Sequence, residues 1–319
     1  MAGVLHPDML AAMEADRRLR PLDAASGLAA ERAAGLAAAG FWRVGLPEMA
    51  RIEDRHADGP AGPVPVRVYT PSGAQAGSLP LVMLVHGGAF IAGSIAQAEP
   101  VALALADTIP AIVVSTTYRL APEHPFPASP DDVGAALRWA ATTAPSLGAD
   151  PARIALVGIS AGANLAVDAL LQAGIAARAA ALVYGWFDLA GNSASHARFG
   201  DGAFGLTTAR LAEAARHYVP SGVALDHPRI SPLRADLTAM PETLLVVAEC
   251  DPLADDSRAM ADRLAGAGVP AEVSLHQGMA HGFITKGRLV AAAREAVAGI
   301  AAFLRPRLAE GAPPIAETR

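Results

Sequence analysis

The chain has 319 residues, of which 52% are hydrophobic and 18% are charged, and its formal net charge is -6 at pH 7. This length and composition allow a large buried core, organised as one domain or as one domain with an insertion. The acidic balance and the lack of a basic stripe argue against nucleic acid or an anionic membrane surface as a partner. The single cysteine, Cys250, excludes an internal disulfide framework and favours a reducing compartment.

Residues 1–20 carry acidic and basic side chains without a sustained apolar stretch, so they do not have the pattern of a signal peptide. The longest apolar runs fall short of the roughly 20 residues that a membrane span requires. We therefore expect a cytoplasmic protein with no membrane span. Lys286 is the only lysine of an alanine-rich chain, which we interpret as compositional bias.

The first part of the chain is alanine-rich, and its apolar spacing predicts two helices within residues 5–40, broken at Pro21. We expect residues 1–48 to form N-terminal cap helices. Residues 49–56 and 64–69 are predicted to be strands on either side of a glycine- and proline-rich turn. Pro65 places the second strand near a sheet edge, because proline cannot donate a ladder hydrogen bond.

From residue 79 onwards, short apolar strands alternate with helices. The predicted strands are 81–85, 111–115, 154–157, 180–184, 243–248 and 271–276, and the predicted helices are 97–108, 130–141, 163–171, 255–266 and 287–304. Continuous apolar strands alternating with helices predict an α/β fold with a mostly parallel sheet covered on both faces. Residues 49–185 and 237–306 form the predicted main domain, residues 186–236 an insertion over the site, and residues 307–319 a loose tail.

A G-x-S-x-G pentapeptide occupies positions 158–162, after an apolar strand and before a predicted helix. A serine at the tip of such a turn adopts a strained backbone, and the flanking glycines let the chains pass closely. The turn presents the Ser160 hydroxyl at a helix N-terminus, where amides favour a developing negative charge. The motif predicts a nucleophilic serine in this strand–turn–helix context.

A serine hydroxyl needs a base to become nucleophilic, normally a histidine oriented by a carboxylate. Asp251 and His281 each follow a predicted strand, and both lie on the same sheet edge as Ser160. The order Ser, Asp, His is that of the α/β-hydrolase arrangement. Asp255 or Asp256 could compete as the acid; we favour Asp251, because Asp255 begins the next helix and has the position of its N-cap.

The sequence H-G-G-A-F at positions 86–90 directly follows the strand 81–85. Residues with little or no side chain allow backbone N–H groups to turn into a pocket and bind an oxyanion. Nothing resembles a phosphate loop, a dinucleotide-binding fingerprint or a metal-binding motif, so we expect neither a cofactor nor a metal.

Together with the run Y-R-L-A-P-E-H-P-F-P-A at 118–128 and G-I-S-A-G-A-N-L-A at 158–166, these motifs make the chain similar to the hormone-sensitive lipase family of microbial carboxylesterases. The resemblance covers residues 50–305. It implies an α/β-hydrolase fold with a helical cap and hydrolysis of short- to medium-chain carboxylic esters without a cofactor.

Carried over residue by residue, the resemblance implies a nucleophile, a base and an orienting acid at Ser160, His281 and Asp251. The implied oxyanion donors are Gly88, Ala89 and Ala161, with His86 and Gly87 in a supporting turn. The candidate pocket walls, side chains of a kind that more often belongs to the core, are Phe90, Trp42, Trp186, Phe187, Phe204 and Leu206.

The chain departs from the family pattern at two positions. Ala89 replaces the third glycine of H-G-G-G, which either adds a methyl group to the pocket floor or constrains φ. Ile159 stands where Asp or Thr is common, which removes a polar neighbour of the nucleophile. An amidase, a lactonase or a dedicated deacetylase would use the same parts, and a non-catalytic ligand-binding protein is a further alternative. The resemblance makes a homodimer plausible, although no sequence feature requires one.

Overall fold

The computed structural model describes residues 3–21, 27–73 and 79–311. Within these ranges the strands are β1 (Met49–Gly59), β2 (Gly62–Pro71), β3 (Leu79–Val85), β4 (Ile112–Thr116), β5 (Ala149–Ile159), β6 (Ala179–Val183), β7 (Glu242–Cys250) and β8 (Ala271–Ala280). The α-helices there are α1 (Pro7–Leu19), α2 (Leu28–Arg43), α3 (Ile95–Thr108), α4 (Ala128–Leu147), α5 (Ala161–Gln172), α6 (Ala194–Phe199), α7 (Thr208–Tyr218), α8 (Ala254–Gly266) and α9 (Ala291–Arg307). Two 3₁₀ helices of the same ranges span Pro232–Arg234 and Phe283–Lys286.

All eight strands form one sheet in the order β1-β2-β4-β3-β5-β6-β7-β8. The pairs β1–β2 and β2–β4 are antiparallel, and every other neighbouring pair is parallel. The prediction of a mostly parallel α/β sheet is therefore confirmed. A parallel arrangement brings the carboxyl ends of β3, β5, β6, β7 and β8 to a single edge.

Two hydrophobic cores lie on opposite faces of the sheet, because successive side chains of a strand point to opposite sides. Leu81, Met83 and Val85 of β3 pack into the core that includes residues of α4, α5 and α8. Val82 and Leu84 pack into the other core, with residues of α3 and α9. Strands β4 and β6 are buried along their whole length, which is why neither alternates between apolar and polar residues; β6 is uniformly apolar, and β4 is apolar up to Ser115 and Thr116 at its end.

The predicted element boundaries differ from the structure mainly at chain reversals. Helix α4 continues past the predicted end at residue 141, includes Pro145, and stops at Gly148, which has a left-handed φ of 80°. Strand β8 continues past residue 276 because Gly278 stays tied to its surroundings; its N–H donates to Glu249 and its carbonyl accepts from His6. Strand β2 lies one strand inside the edge formed by β1, and Pro65 sits just beyond its pairing with β4.

Two segments lie outside the strand–helix alternation. The first carries α1 and α2, and the second runs from the end of β6 to the start of β7 and carries α6 and α7. Their division into cap and main domain, with boundaries at 48, 185, 237 and 306, stays a prediction. Residues 312–319 of the predicted tail lie outside the described residues. No helix in the described ranges is both long and apolar enough to cross a membrane.

Candidate active site

Ser160 lies at the sharp turn between β5 and α5, with φ 56° and ψ -122°. This conformation is strained for a residue with a side chain, so the surrounding structure must hold it in place. The Ser160 N–H donates to the carbonyl of Val183, 2.9 Å away, which ties the turn to the end of β6. The turn therefore fixes the hydroxyl at the carboxyl edge of the sheet.

The flanking glycines of the pentapeptide are required by close packing. A Cβ at Gly158 would lie 2.5 Å from the Cα of Ala163, and one at Gly162 would lie 2.3 Å from the carbonyl oxygens of Val85 and His86. Backbone atoms cannot yield as a flexible side chain can. Only glycine at both positions allows β5, α5 and the end of β3 to approach this closely.

A continuous hydrogen-bond relay connects Ser160 to a buried carboxylate. Ser160 Oγ is 2.8 Å from His281 Nε2, and His281 Nδ1 is 2.7 Å from Asp251 Oδ2. Asp251 comes directly after β7 and His281 directly after β8, so the parallel neighbours β7 and β8 deliver both groups to the edge that holds Ser160. The arrangement can move a proton from the serine to the imidazole.

The imidazole of His281 is held in one orientation. The side chain of Asp251 is completely buried, and its second oxygen, Oδ1, accepts the N–H of Leu253 at 2.9 Å. The ring of His281 also packs against that of Tyr184, with the centroids 4.7 Å apart. A carboxylate that only accepts requires a proton on Nδ1, which leaves Nε2 as the acceptor facing Ser160.

The two competing acids have other partners. Asp255 accepts the N–H of Ser195 and pairs with Arg258, both at 2.8 Å. The prediction that Asp255 is the N-cap of this helix is wrong. Helix α8 starts one residue earlier than predicted, at Ala254, and its N-cap is Leu253. Asp256 accepts the N–H groups of Phe187 and Asp188 at 2.9 and 3.0 Å, and burial raises the pKa of Asp256 to about 7.

The loop after β3 has an unusual backbone. Gly88, Ala89 and Phe90 have φ values of 131°, 53° and 65°, and a Cβ at Gly88 would meet the carbonyl oxygen of Ala92 at 2.1 Å. Ala89 therefore occupies the left-handed region that glycine would adopt without strain. At the start of α5, the N–H of Ala163 donates back to the Ser160 carbonyl. Ala161 lies before this first hydrogen bond, so its N–H has no acceptor within the helix.

His86 lines the cavity and also supports this loop through hydrogen bonds and ring stacking. Its Nδ1 lies 2.8 Å from the Gly87 carbonyl and its Nε2 lies 3.1 Å from Thr117 Oγ1. The ring stacks on Tyr118 with the centroids 4.4 Å apart, and the Tyr118 hydroxyl donates to the His86 carbonyl. Burial lowers the pKa of His86 to about 4, so the ring is neutral. Its Nδ1–H donates to the Gly87 carbonyl, and its Nε2 accepts from the Thr117 hydroxyl.

Arg32 of α2 contacts the loop after β3, which the sequence did not reveal. Its Nε donates to the carbonyl of Ile91 at 2.8 Å and its Nη2 to the carbonyl of Ala121 at 2.7 Å, while Glu123 pairs with the same guanidinium. The Ala121 N–H in turn donates to the carbonyl of Phe90. Arg32 belongs to no motif and lies in an alanine-rich helix, so the sequence carries no signal for this contact.

A cavity of about 670 Å³ opens onto Ser160, His281, Gly88 and Ala89. Of the predicted pocket walls, Phe204 and Leu206 line it. The other four, Phe90, Trp42, Trp186 and Phe187, are buried and are not among the residues that line it. Their apolar character serves packing; the ring of Phe90, for example, stacks on Tyr218 with the centroids 3.9 Å apart.

The sequence predicted cap helices within residues 1–48 but not which of their residues would line the cavity, and it did not predict a contribution from the end of the 3₁₀ helix after His281. The lining includes Met9, Met13, Asp16 and Arg20 from α1 and the residue after it, and Lys286. Across the described ranges, no group of three or more His, Cys, Asp or Glu residues is arranged to hold a metal ion.

Comparison with known proteins agrees with this geometry. A family model described as the alpha/beta hydrolase fold matches residues 82–285. Carboxylesterase NlhH of Mycobacterium tuberculosis is 40% identical over 270 residues, which cover 82% of this chain and 84% of the relative. The arylesterase of Saccharolobus solfataricus is 35% identical over 231 residues, which cover 70% of this chain and 74% of that protein.

Solved structures are similar over nearly the whole chain. A hyperthermophilic esterase from the archaeon Pyrobaculum calidifontis has a TM-score of 0.89 at 31% identity, covering 96% of this chain and 100% of that chain. EstE1, a thermostable carboxylesterase cloned from a metagenomic library, has a TM-score of 0.85 at 34% identity, covering 90% and 100%. The sheet order, the Ser160 turn and these matches agree, and the chain belongs to the hormone-sensitive-lipase-like family of α/β-hydrolases.

Proposed function

We propose that the protein is a serine carboxylesterase that hydrolyses short- to medium-chain carboxylic esters through an acyl-enzyme. The relay from Ser160 Oγ through His281 to Asp251, with distances of 2.8 and 2.7 Å, is the observation that carries the proposal. The relatives named as carboxylesterase and arylesterase support the same reaction class.

In the first half of the reaction, Ser160 Oγ attacks the ester carbonyl carbon while His281 Nε2 takes the hydroxyl proton. Asp251 stabilises the resulting imidazolium through Nδ1–H. The carbonyl oxygen becomes an oxyanion, for which the N–H groups of Gly88, Ala89 and Ala161 are the proposed donors. Collapse of this intermediate breaks the bond to the leaving oxygen, which takes the proton from His281 and departs as the alcohol.

The second half repeats these steps with water. His281 Nε2 takes a proton from a water molecule, whose oxygen attacks the acyl carbon. Collapse of the second intermediate breaks the bond to Ser160 Oγ, which recovers its proton from His281. The net products are one carboxylic acid and one alcohol. Losing one oxyanion donor typically costs about 3 to 4 kcal/mol of transition-state stabilisation.

Amidases, lactonases and dedicated deacetylases would use the same three side chains, so the substrate must be distinguished by experiment. Rates for 4-nitrophenyl esters of increasing acyl length, beside one amide and one lactone, separate these alternatives. We expect the esters to be hydrolysed fastest. A non-catalytic ligand-binding protein would hydrolyse none of them.

Ser160→Ala is the direct test of the proposal. The substitution removes the attacking oxygen and little else, so we expect ester turnover to fall by several orders of magnitude with the fold intact. Near-normal turnover in this variant would exclude Ser160 as the nucleophile. A cytoplasmic location, a homodimer and a cap formed by residues 1–48 and 186–236 remain part of this proposal.

A further inference from the structure

A cluster of two cations and one carboxylate, formed by Asp16, Arg20 and Lys286, lines the cavity that holds Ser160 and His281. Lys286 Nζ is 2.7 Å from Asp16 Oδ1, and Arg20 Nη1 is 3.5 Å from Asp16 Oδ2. Trp42 Nε1 also donates to Asp16 Oδ1, at 3.1 Å. One negative charge therefore faces two positive charges, and the cluster carries a net charge of +1.

The other arginines of the cavity wall each pair with at least one carboxylate. Arg210 pairs with Glu31, which also lines the cavity, and with Glu213. Arg17 pairs with Glu14 at 2.6 Å; the same carboxylate also pairs with Arg18, and both arginines are largely exposed to solvent. Arg17 is solvated, so the poorly exposed excess of positive charge on the wall belongs to the cluster of Asp16, Arg20 and Lys286.

The Lys286 ammonium is poorly solvated, since only 14% of its side chain is exposed. Besides Asp16 it contacts the ring of Trp42, with Nζ 4.1 Å from the centroid, which is a neutral partner. Burial holds the pKa of Lys286 below its usual range, although the Asp16 carboxylate opposes the shift. A further anion beside Lys286 would stabilise its charged form. The buried Nε–H of Arg20 has no acceptor within the described part of the chain.

Helix α1 gives the same cavity an apolar wall. Met9, Ala12 and Met13 line it one to two turns before Asp16, on the face set by the helical period. The wall thus changes along α1 from thioether and methyl groups to charged groups. A ligand with an apolar chain that ends in an anionic group would match this order of surfaces.

We propose that this cluster is a carboxylate-binding subsite, and that the preferred substrates are esters bearing a carboxylate remote from the ester bond. The proposal rests on the proposed esterase function and specifies its substrate class. An entering carboxylate would accept charge-assisted hydrogen bonds from Lys286 and Arg20 and neutralise the excess charge.

The test compares 4-nitrophenyl half-esters of dicarboxylic acids, from adipate to azelate, with 4-nitrophenyl esters of monocarboxylic acids of equal length. A second arm places the carboxylate on the alcohol side, using butyrate esters of ω-hydroxy acids and of the matching alkanols. We expect kcat/KM for the charged ester to exceed that of its neutral partner by about tenfold at the best length, in at least one arm.

Two substitutions should change this ratio in opposite directions. Lys286→Met removes a cation at similar volume and should lower the charged-to-neutral ratio about tenfold, whereas Asp16→Asn removes the competing anion and should raise it. Arg18→Gln, on the same helix and outside the cavity lining, should leave the ratio unchanged. A purely structural role for the cluster would change both rates together and leave the ratio constant.

The proposal is overturned if the wild-type protein prefers the neutral ester at every length in both arms, or if folded Lys286→Met and Asp16→Asn variants keep the wild-type ratio. The wild-type ratio decides the question even where a variant fails to fold. Failure of the esterase proposal itself is distinguishable, because the wild-type protein would then hydrolyse neither the neutral nor the charged esters through Ser160.

Discussion

Replacing Asp251 by asparagine tests the proposed orienting acid with almost no change in shape. Both carboxylate oxygens accept an N–H donor, Oδ2 from His281 Nδ1 at 2.7 Å and Oδ1 from Leu253 at 2.9 Å. Asparagine offers one oxygen and one NH₂ group, so one of the two donors must face another donor. If the NH₂ group faces His281, the ring must keep Nδ1 unprotonated and place its proton on Nε2, where it can no longer accept from Ser160.

The opposite orientation leaves the Leu253 N–H facing the NH₂ group in a completely buried position, at a cost of about 1 to 3 kcal/mol. The first orientation is therefore preferred, and the imidazole is held in the wrong tautomer. We expect kcat to fall about 10³- to 10⁴-fold, as for the equivalent change in a Ser-His-Asp triad. This corresponds to about 4 to 5.5 kcal/mol of lost transition-state stabilisation.

The assay is initial-rate hydrolysis of 4-nitrophenyl butyrate, with circular dichroism as a check on folding. Asp255→Asn is the matched control, because Asp255 bonds to Ser195 and Arg258 and does not contact His281. We expect the control to retain wild-type kcat within about threefold. A folded Asp251→Asn variant within tenfold of the wild type, or a larger loss in the Asp255→Asn control, would refute the assignment.

Three further substitutions have defined outcomes. Ala89→Gly relieves a left-handed φ and should raise the free energy of unfolding by up to about 1 kcal/mol in urea titration; a decrease would contradict the strain argument. Asp256 has a pKa raised to about 7, so it contributes stability at low pH that is lost as pH rises towards 7. The excess stability of the wild type over Asp256→Asn should therefore decline between pH 4 and 7, by at most about 4 kcal/mol, and a rise would contradict this sign. Arg32→Met removes the contacts to Ile91 and Ala121 and should lower kcat about tenfold with KM within about threefold; an unchanged kcat would show that these contacts do not position the loop.

The parts of the fold that repeat a strong local pattern could be predicted from the sequence. Continuous apolar strands alternating with helices indicate a parallel sheet, and in such a sheet the residues that follow the strands meet at one edge. This topological rule predicts that Ser160, Asp251 and His281 meet, although 30 to 121 residues separate them in the chain. Exact ends were missed where glycine or a 3₁₀ turn, as at Gly278 and Phe283–Lys286, changes the backbone.

Features that depend on distant pairing could not be predicted. Asp16 and Lys286 are separated by 270 residues, and neither belongs to a motif. In the sequence the lone lysine indicates only compositional bias, whereas in the structure its burial beside Asp16 gives it a place in the cavity wall. Aromatic character alone does not distinguish a pocket wall from a core residue, so Phe204 and Phe90 looked equivalent in the sequence.

Covalent labelling of Ser160 tests the central claim most directly, because only an activated alcohol attacks a fluorophosphonate at a useful rate. Intact-protein mass spectrometry should show one adduct per wild-type chain, mapped by peptide digestion to Ser160, and no adduct on Ser160→Ala. Esterase activity should disappear in proportion to the labelled fraction. An adduct on another residue, or complete labelling with esterase activity retained, would contradict the account.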